Sequence, residues 1–215
     1  MVVGFFHSAL IIVDVQYDFC PGGALAVEGG DSVIEPLNRL ASLFAGQNGR
    51  VLVTQDWHPE NHASFASSHS GKKPGDTVDL PAVKDQILWP DHCVQGTAGA
   101  EFHKDLNMKL VNFIIRKGYR GDLDSYSTFF ENDRKTPTGL DGLLKALRVD
   151  TVVMGGLATD YCVRYSALDA AALGYKTIVI KDAVRGVNYP AGSVEQTWKL
   201  LDEAGVIVAG SKEIR

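Results

Sequence analysis

The feature that most constrains this chain is an alternation. Short apolar runs rich in Val and Ile are each followed by a longer stretch with helical spacing. The runs are residues 8–15 (SALIIVDV), 51–55 (VLVTQ), 111–116 (VNFIIR), 151–157 (TVVMGGL) and 176–181 (KTIVIK), with a short last one at 206–209. Apolar runs of strand length that do not alternate with polar residues read as strands covered on both faces. Between them, 31–47 puts Val33, Leu37, Leu40, Ala41 and Phe44 on one helical face, with Pro36 delaying the regular helix. Leu140, Leu143, Leu144 and Leu147 mark a second helix, and the Ala-rich stretch 160–173, stopped by Gly174, a third. Ser193 followed by Gln196 resembles a capping box opening a fourth that runs to Gly205. The pattern predicts a three-layer α/β/α fold, with a mainly parallel sheet of about six strands and helices on both faces. At 215 residues, one domain spanning 1–215 is the expectation, large enough to bury roughly 70% of its unfolded surface.

Composition narrows the partners. A net charge of −5 with no basic block offers no electrostatic footprint for nucleic acid or an anionic membrane. Three cysteines (Cys20, Cys93, Cys162) cannot all pair within one chain. No Lys or Arg precedes the first apolar run, and Asp14 interrupts it, so it reads as neither signal peptide nor membrane span. Free thiols without an export signal point to a reducing, cytoplasmic setting.

Residues 56–110 break the rhythm, holding four of the eight prolines and five of the six histidines. A segment of this length without periodicity, yet carrying Trp, Phe and His, reads as functional rather than disordered.

Ligands of open parallel sheets bind beyond the carboxyl ends of the strands. The first run meets Asp14, the second Asp56 with His58 and His62 beyond it, the third Lys117, and the fourth the loop leading to Cys162. Taken singly, Asp14 could cap a turn, Lys117 could be a solvated lysine, and Cys162 a small buried hydrophobe. Their joint placement at strand ends favours chemistry. Cys162 falls in the first turn of the third helix, with Thr159 or Asp160 as its cap, where free amides favour thiolate and can bind an oxyanion. Asp14 could take the thiol proton and Lys117 steady the charge. Cys20 and Cys93 lack such a helix start and read as structural, and His69 and His103 as surface residues.

A second signal is independent. Residues 56–62 (DWHPENH) supply one carboxylate and two imidazoles, and His92 closes 89–92 (WPDH). Mixed oxygen and nitrogen donors suit zinc, iron(II) or manganese.

Six stretches together resemble the nicotinamidases (pyrazinamidases) of the isochorismatase-like cysteine hydrolase superfamily. They are 12–20 (IVDVQYDFC), 55–62 (QDWHPENH), 89–93 (WPDHC), 116–118 (RKG), 124–127 (DSYS) and 156–163 (GLATDYCV). The resemblance implies hydrolysis of nicotinamide to nicotinate and ammonia, as in NAD salvage, with Cys162, Asp14 and Lys117 as catalytic trio. It implies a divalent metal, zinc first, on Asp56, His58 and His92, with His62 as a fourth position that varies among members. It implies oxyanion donation by the amides of Ala158 and Cys162, a cis bond between Leu157 and Ala158, and a ring pocket of Phe19, Trp89, Tyr126 and Tyr161. Analogues such as pyrazinamide and a homo-oligomeric state are further implications, although no interface stripe is legible. Two other classes stand beside it: a metallohydrolase in which Cys162 only packs, and a non-catalytic binder of a pyridine or nucleotide metabolite. Amidases acting on carbamoyl or ureido groups are the nearer alternative.

Overall fold

Burial on both faces gives each strand its place in the computed structural model, which describes residues 3–215. In chain order the elements are β1 (Ser8–Val13), α1 (Ile34–Gly46), β2 (Arg50–Asp56), β3 (Thr77–Val78), β4 (Gln86–Ile87), β5 (Phe113–Lys117), α2 (Leu140–Ala146), β6 (Thr151–Leu157), α3 (Arg164–Ala172), β7 (Lys176–Arg185), α4 (Ser193–Glu203) and β8 (Ile207–Ala209). Six of the strands form one sheet in the order β5-β2-β1-β6-β7-β8, every neighbouring pair parallel. β3 and β4 pair separately and antiparallel.

β1 is buried along its whole length, and its alternate side chains serve opposite layers. Leu10 and Ile12 pack with Leu37, Leu40, Ala41 and Phe44 of α1. Ala9, Ile11 and Val13 pack with Leu140 and Leu144 of α2, Ala167 and Ala170 of α3, and Leu201 of α4. Each fully buried Leu, Ile or Phe contributes on the order of 1.5–3 kcal/mol, so the two apolar layers hold the sheet as the three-layer α/β/α arrangement that the alternation predicts. Pro36 is tolerated because it lies in the first turn of α1, where no intrahelical partner awaits its missing N–H.

The differences from expectation are local. β1 ends at Val13 because Asp14 turns the backbone left-handed, at φ 49°. β5 begins at Phe113, after a 3-10 turn at Met108–Leu110. Ser193 forms no capping box: Gly192 takes the cap position, and the Ser193 hydroxyl donates to Asp160 Oδ2 at 2.5 Å. Thr159 and Asp160 do not cap the helix before Cys162 either. A π turn, Thr159–Val163, precedes α3 with Ala158 before it, and the Asp160 carboxylate accepts from the amides of Val187 and Asn188. His69 and His103 are half-buried rather than on the open surface. His69 Nε2 bonds the Ala63 carbonyl, and His103 packs on Tyr17.

Segment 56–110 folds across the carboxyl end of the sheet, pinned by fully buried Phe65 and Leu88. The Trp89 amide donates to Ser64 O and the Ala66 amide to Trp89 O. No helix among the described residues is long and apolar enough to cross a membrane. From central β1 the chain proceeds to β2 and β5 on one side, then to β6, β7 and β8 on the other. The crevice between β1 and β6 is therefore the topological switch point of the sheet.

Candidate active site

Asp14 follows β1 and Cys162 follows β6, so the two flank that switch point, while Lys117 reaches in from the end of β5. The Lys117 ammonium lies 2.8 Å from Asp14 Oδ2 and 2.9 Å from Asp56 Oδ1. It also donates to Ser125 O at 3.0 Å and lies 3.4 Å from Cys162 Sγ. Both Asp14 and Lys117 are fully buried, and Cys162 nearly so. Thr54 fixes the other Asp14 oxygen, donating from its hydroxyl to Oδ1 at 2.6 Å, and accepts from the Asp14 amide.

Burial sets the charge states. It raises the Asp14 carboxyl, Lys117 opposing and Asp56 adding to the rise. Burial alone would lower Lys117, but Asp14, Asp56 and the Cys162 sulfur outweigh it and hold the ammonium well above its usual range. The Cys162 thiol is pushed well up by burial, with Lys117 opposing and Asp14 and Asp56 adding. A helix start alone predicts the reverse, a thiolate. Burial first, and the Asp14 and Asp56 carboxylates after it, outweigh Lys117 and favour the thiol over the thiolate.

Beside this trio, the ligand atoms of Asp56, His58 and His92 lie within 4.8 Å of one another, all buried. The hydrogen bonds on the far side of each ring fit a metal. His58 Nδ1 bonds Gly118 O at 2.8 Å, and His92 Nδ1 bonds Pro90 O at 2.7 Å. A carbonyl can only accept, so each Nδ1 carries a proton, and in the neutral ring this leaves the Nε2 lone pair for an ion. His58 Nε2 is buried 3.2 Å from Asp56 Oδ2 and makes no well-aligned hydrogen bond, a placement in which both atoms could serve one ion. Burial would raise Asp56, but His58 and Lys117 hold its carboxyl well below the usual range. His58 is pushed up to about 9, Asp56 outweighing the burial that would lower it. His62, His58 and Asp124 form a second close group, yet His62 is held differently. Its Nδ1 is engaged by the Ser64 amide at 3.2 Å and the Ser64 hydroxyl at 2.7 Å, its Nε2 is buried without a partner, and its close group includes neither Asp56 nor His92.

Phe19, Trp89, Tyr126 and Tyr161 line one cleft together with Ala158, Cys162, Asp56 and His92. Trp89 and Tyr161 meet edge to face at 4.9 Å between centroids, Tyr126 and Tyr161 at 5.4 Å, and Phe19 packs on His92 at 5.5 Å. The Leu157–Ala158 peptide is cis. The Ala158 carbonyl accepts from the amides of Tyr161 and Val163, which leaves the amides of Ala158 and Cys162 outside those bonds.

Sequence reasoning missed Thr54, Leu25, Val187 and Asp124. Thr54 was within reach, since strand period two puts it on the same face as Asp56. Leu25 and Val187 line the cleft from loops with no pattern of their own. Asp124 lines it too, and its Oδ1 lies 4.0 Å from His58 Nε2.

Comparison with known proteins agrees with this geometry. The Isochorismatase domain model matches residues 8–213. A nicotinamidase of Acinetobacter baylyi is 48% identical over 208 residues, covering 97% of this chain and 94% of that protein. The solved structure of a nicotinamidase/pyrazinamidase from Acinetobacter baumanii superimposes with a TM-score of 0.92 at 49% identity, covering 96% of this chain and 97% of that one. A Pyrococcus horikoshii pyrazinamidase, solved in complex with zinc, superimposes with a TM-score of 0.77 at 35% identity over 95% of this chain and 99% of its own. Likeness of this extent, in sequence and in backbone, has one reading: the chain belongs to the isochorismatase family and is an amidohydrolase of its nicotinamidase branch.

Proposed function

We propose that the protein hydrolyses nicotinamide, and ring analogues such as pyrazinamide, to the acid and ammonia through a thioester on Cys162. The observation that carries this reading is the contact of one buried ammonium, Lys117, with both the Asp14 carboxylate and the Cys162 sulfur at the floor of an aromatic cleft. Because the sulfur rests protonated, its proton must move as the substrate arrives. Asp14, with its raised carboxyl, takes it, and Lys117 stabilises the charge that develops. The Cys162 thiolate then attacks the carboxamide carbon, and the amides of Ala158 and Cys162 hold the tetrahedral oxyanion. The C–N bond breaks as Asp14 returns the proton to nitrogen, and ammonia leaves a thioester. Asp14 next removes a proton from water, whose oxygen attacks the same carbon. The acid departs as the sulfur recovers its proton.

Phe19, Trp89, Tyr126 and Tyr161 hold the flat ring and exclude water. Asp56, His58 and His92 would hold a divalent ion, zinc first and iron or manganese next. Bound there, such an ion would supply Lewis acidity toward the ring nitrogen and so help to orient the ring. His62 groups with His58 and Asp124 and not with Asp56 and His92, and so stays outside that set. Three unpaired cysteines fit a cytoplasmic enzyme, and the reaction fits NAD salvage.

Ammonia release from nicotinamide, measured for the parent and for Cys162→Ala, tests the reading. Release by the parent alone is expected. No release by the parent with metal supplied would sink the substrate assignment, and substantial release by the variant would favour direct attack by water.

A further inference from the structure

A larger cavity, of about 450 Å³, lies behind the aromatic wall and shares Tyr126 and Tyr161 with the cleft. Its lining carries three cations, Lys84, Arg134 and Arg164, against one carboxylate, Asp85. Two of the cations are already paired: Lys84 with Asp79 at 2.7 Å and Arg134 with Asp169 at 2.5 Å. Arg164 is different. As the first residue of α3 it lays its guanidinium over the rings of Tyr165 and Tyr161, 4.7 and 5.9 Å from their centroids. Among the described residues it has no carboxylate partner. Asp160, one turn earlier, is occupied by the amides of Val187 and Asn188 and the Ser193 hydroxyl. A guanidinium held against rings, with no carboxylate on its N–H groups, has those donors to offer a planar anion.

Tyr126 adds a second unused donor. Its hydroxyl oxygen accepts from Gln86 Nε2 and Trp89 Nε1, each at 3.0 Å. Both lone pairs are thereby engaged, and no acceptor among the described residues takes the hydroxyl proton.

We infer that this outer cavity is a second binding site, selective for a planar aromatic carboxylate seated on Arg164 between tyrosine rings. The acid product of the proposed reaction has this chemistry and the neutral amide substrate does not, so the identity of the ligand, though not the site, rests on the proposed function. Tyr126 and Tyr161 have one side in each compartment. A carboxylate in the outer cavity therefore bears on the wall of the cleft without entering it, and the product acts back on turnover from a place the substrate does not compete for.

Product inhibition by nicotinate tests this directly. In the parent, nicotinate should lower kcat as well as raise KM. In Arg164→Gln the kcat effect should weaken by at least about tenfold, as loss of a charge-assisted hydrogen bond implies. The KM effect should remain, and nicotinamide turnover should stay within about threefold. Arg164→Lys, which keeps the charge, should retain part of the kcat effect, a result that mere repacking of Tyr161 would not give. Purely competitive inhibition of the parent, or mixed inhibition unchanged in Arg164→Gln, would overturn the site. Should nicotinamide not be turned over at all, calorimetric titration with benzoate, which has no ring nitrogen, still decides. Benzoate binding that nicotinamide does not displace and that Arg164→Gln weakens supports the site. Displacement by nicotinamide, indifference to the substitution, or no binding by the parent overturns it.

Discussion

Gly118 shows how one residue can set a neighbour's chemistry. It follows the Lys117 strand end with φ 61°, and its carbonyl fixes the tautomer of His58. A Cβ there would lie 2.5 Å from His58 Cε1 and 2.8 Å from Nδ1, on a backbone that also disfavours any side chain. Gly118→Ala should push the His58 ring out of line and lower affinity for a divalent ion by about 10- to 100-fold, read by competition with a chelator. Unchanged affinity would mean that His58 is not held from this side. The strand-end residues Asp14, Asp56 and Lys117 were legible because polar groups interrupt apolar runs where a parallel sheet binds its ligands. The resting state of Cys162 was not. A helix start is a local property of the sequence, whereas the burial that favours the thiol is tertiary and the two carboxylates that add to it stand at the ends of two other strands, β1 and β2.

Among the elements, the π turn Thr159–Val163 and the loop at 186–193 form one unit. Asp160 is fully buried inside it, joining the turn to Val187, Asn188 and Ser193, while the Tyr161 hydroxyl donates to Tyr189 O at 2.5 Å. Asp160→Asn would turn an N–H donor of its own against one of those donors. A loss of about 3 kcal/mol, seen as a lower urea midpoint, is expected, with a raised KM as Tyr161 loses its anchor. An unchanged midpoint would show the three bonds to be dispensable. This unit explains two misreadings together. Asp160 and Ser193 each resemble a local helix cap, but they bond to each other across 33 residues, and local spacing carries no sign of such a pairing. β3 and β4, at two residues each, are too short for any periodicity to show.

At the scale of the whole molecule, Glu131 couples stability to pH. Its carboxylate oxygens are buried without hydrogen-bond partners, and Arg120 Nε stands 3.9 Å away. Burial and the neighbouring Asp124 push the carboxyl up to about 7, against an ordinary 4.5, with Arg120 and Lys117 opposing. A raised carboxyl favours the folded state while it is neutral. Its contribution is full below about 4.5, declines as pH rises to about 7, and is gone above that. Glu131→Gln stays neutral throughout. The melting temperature of the variant should therefore gain on the parent by about 3 °C or more between pH 5 and 8. A constant difference across that range would rule the coupling out. The order of the sheet has a further consequence. Acid, ammonium and sulfur stand at the ends of β1, β5 and β6, on both sides of the point where the chain reverses direction across the sheet. No contiguous fragment shorter than residues 14–162 holds all three, so a nascent chain lacks the trio until β6 and the turn after it have been made. The proposed thioester chemistry is therefore closed to any chain that stops short of the turn after β6.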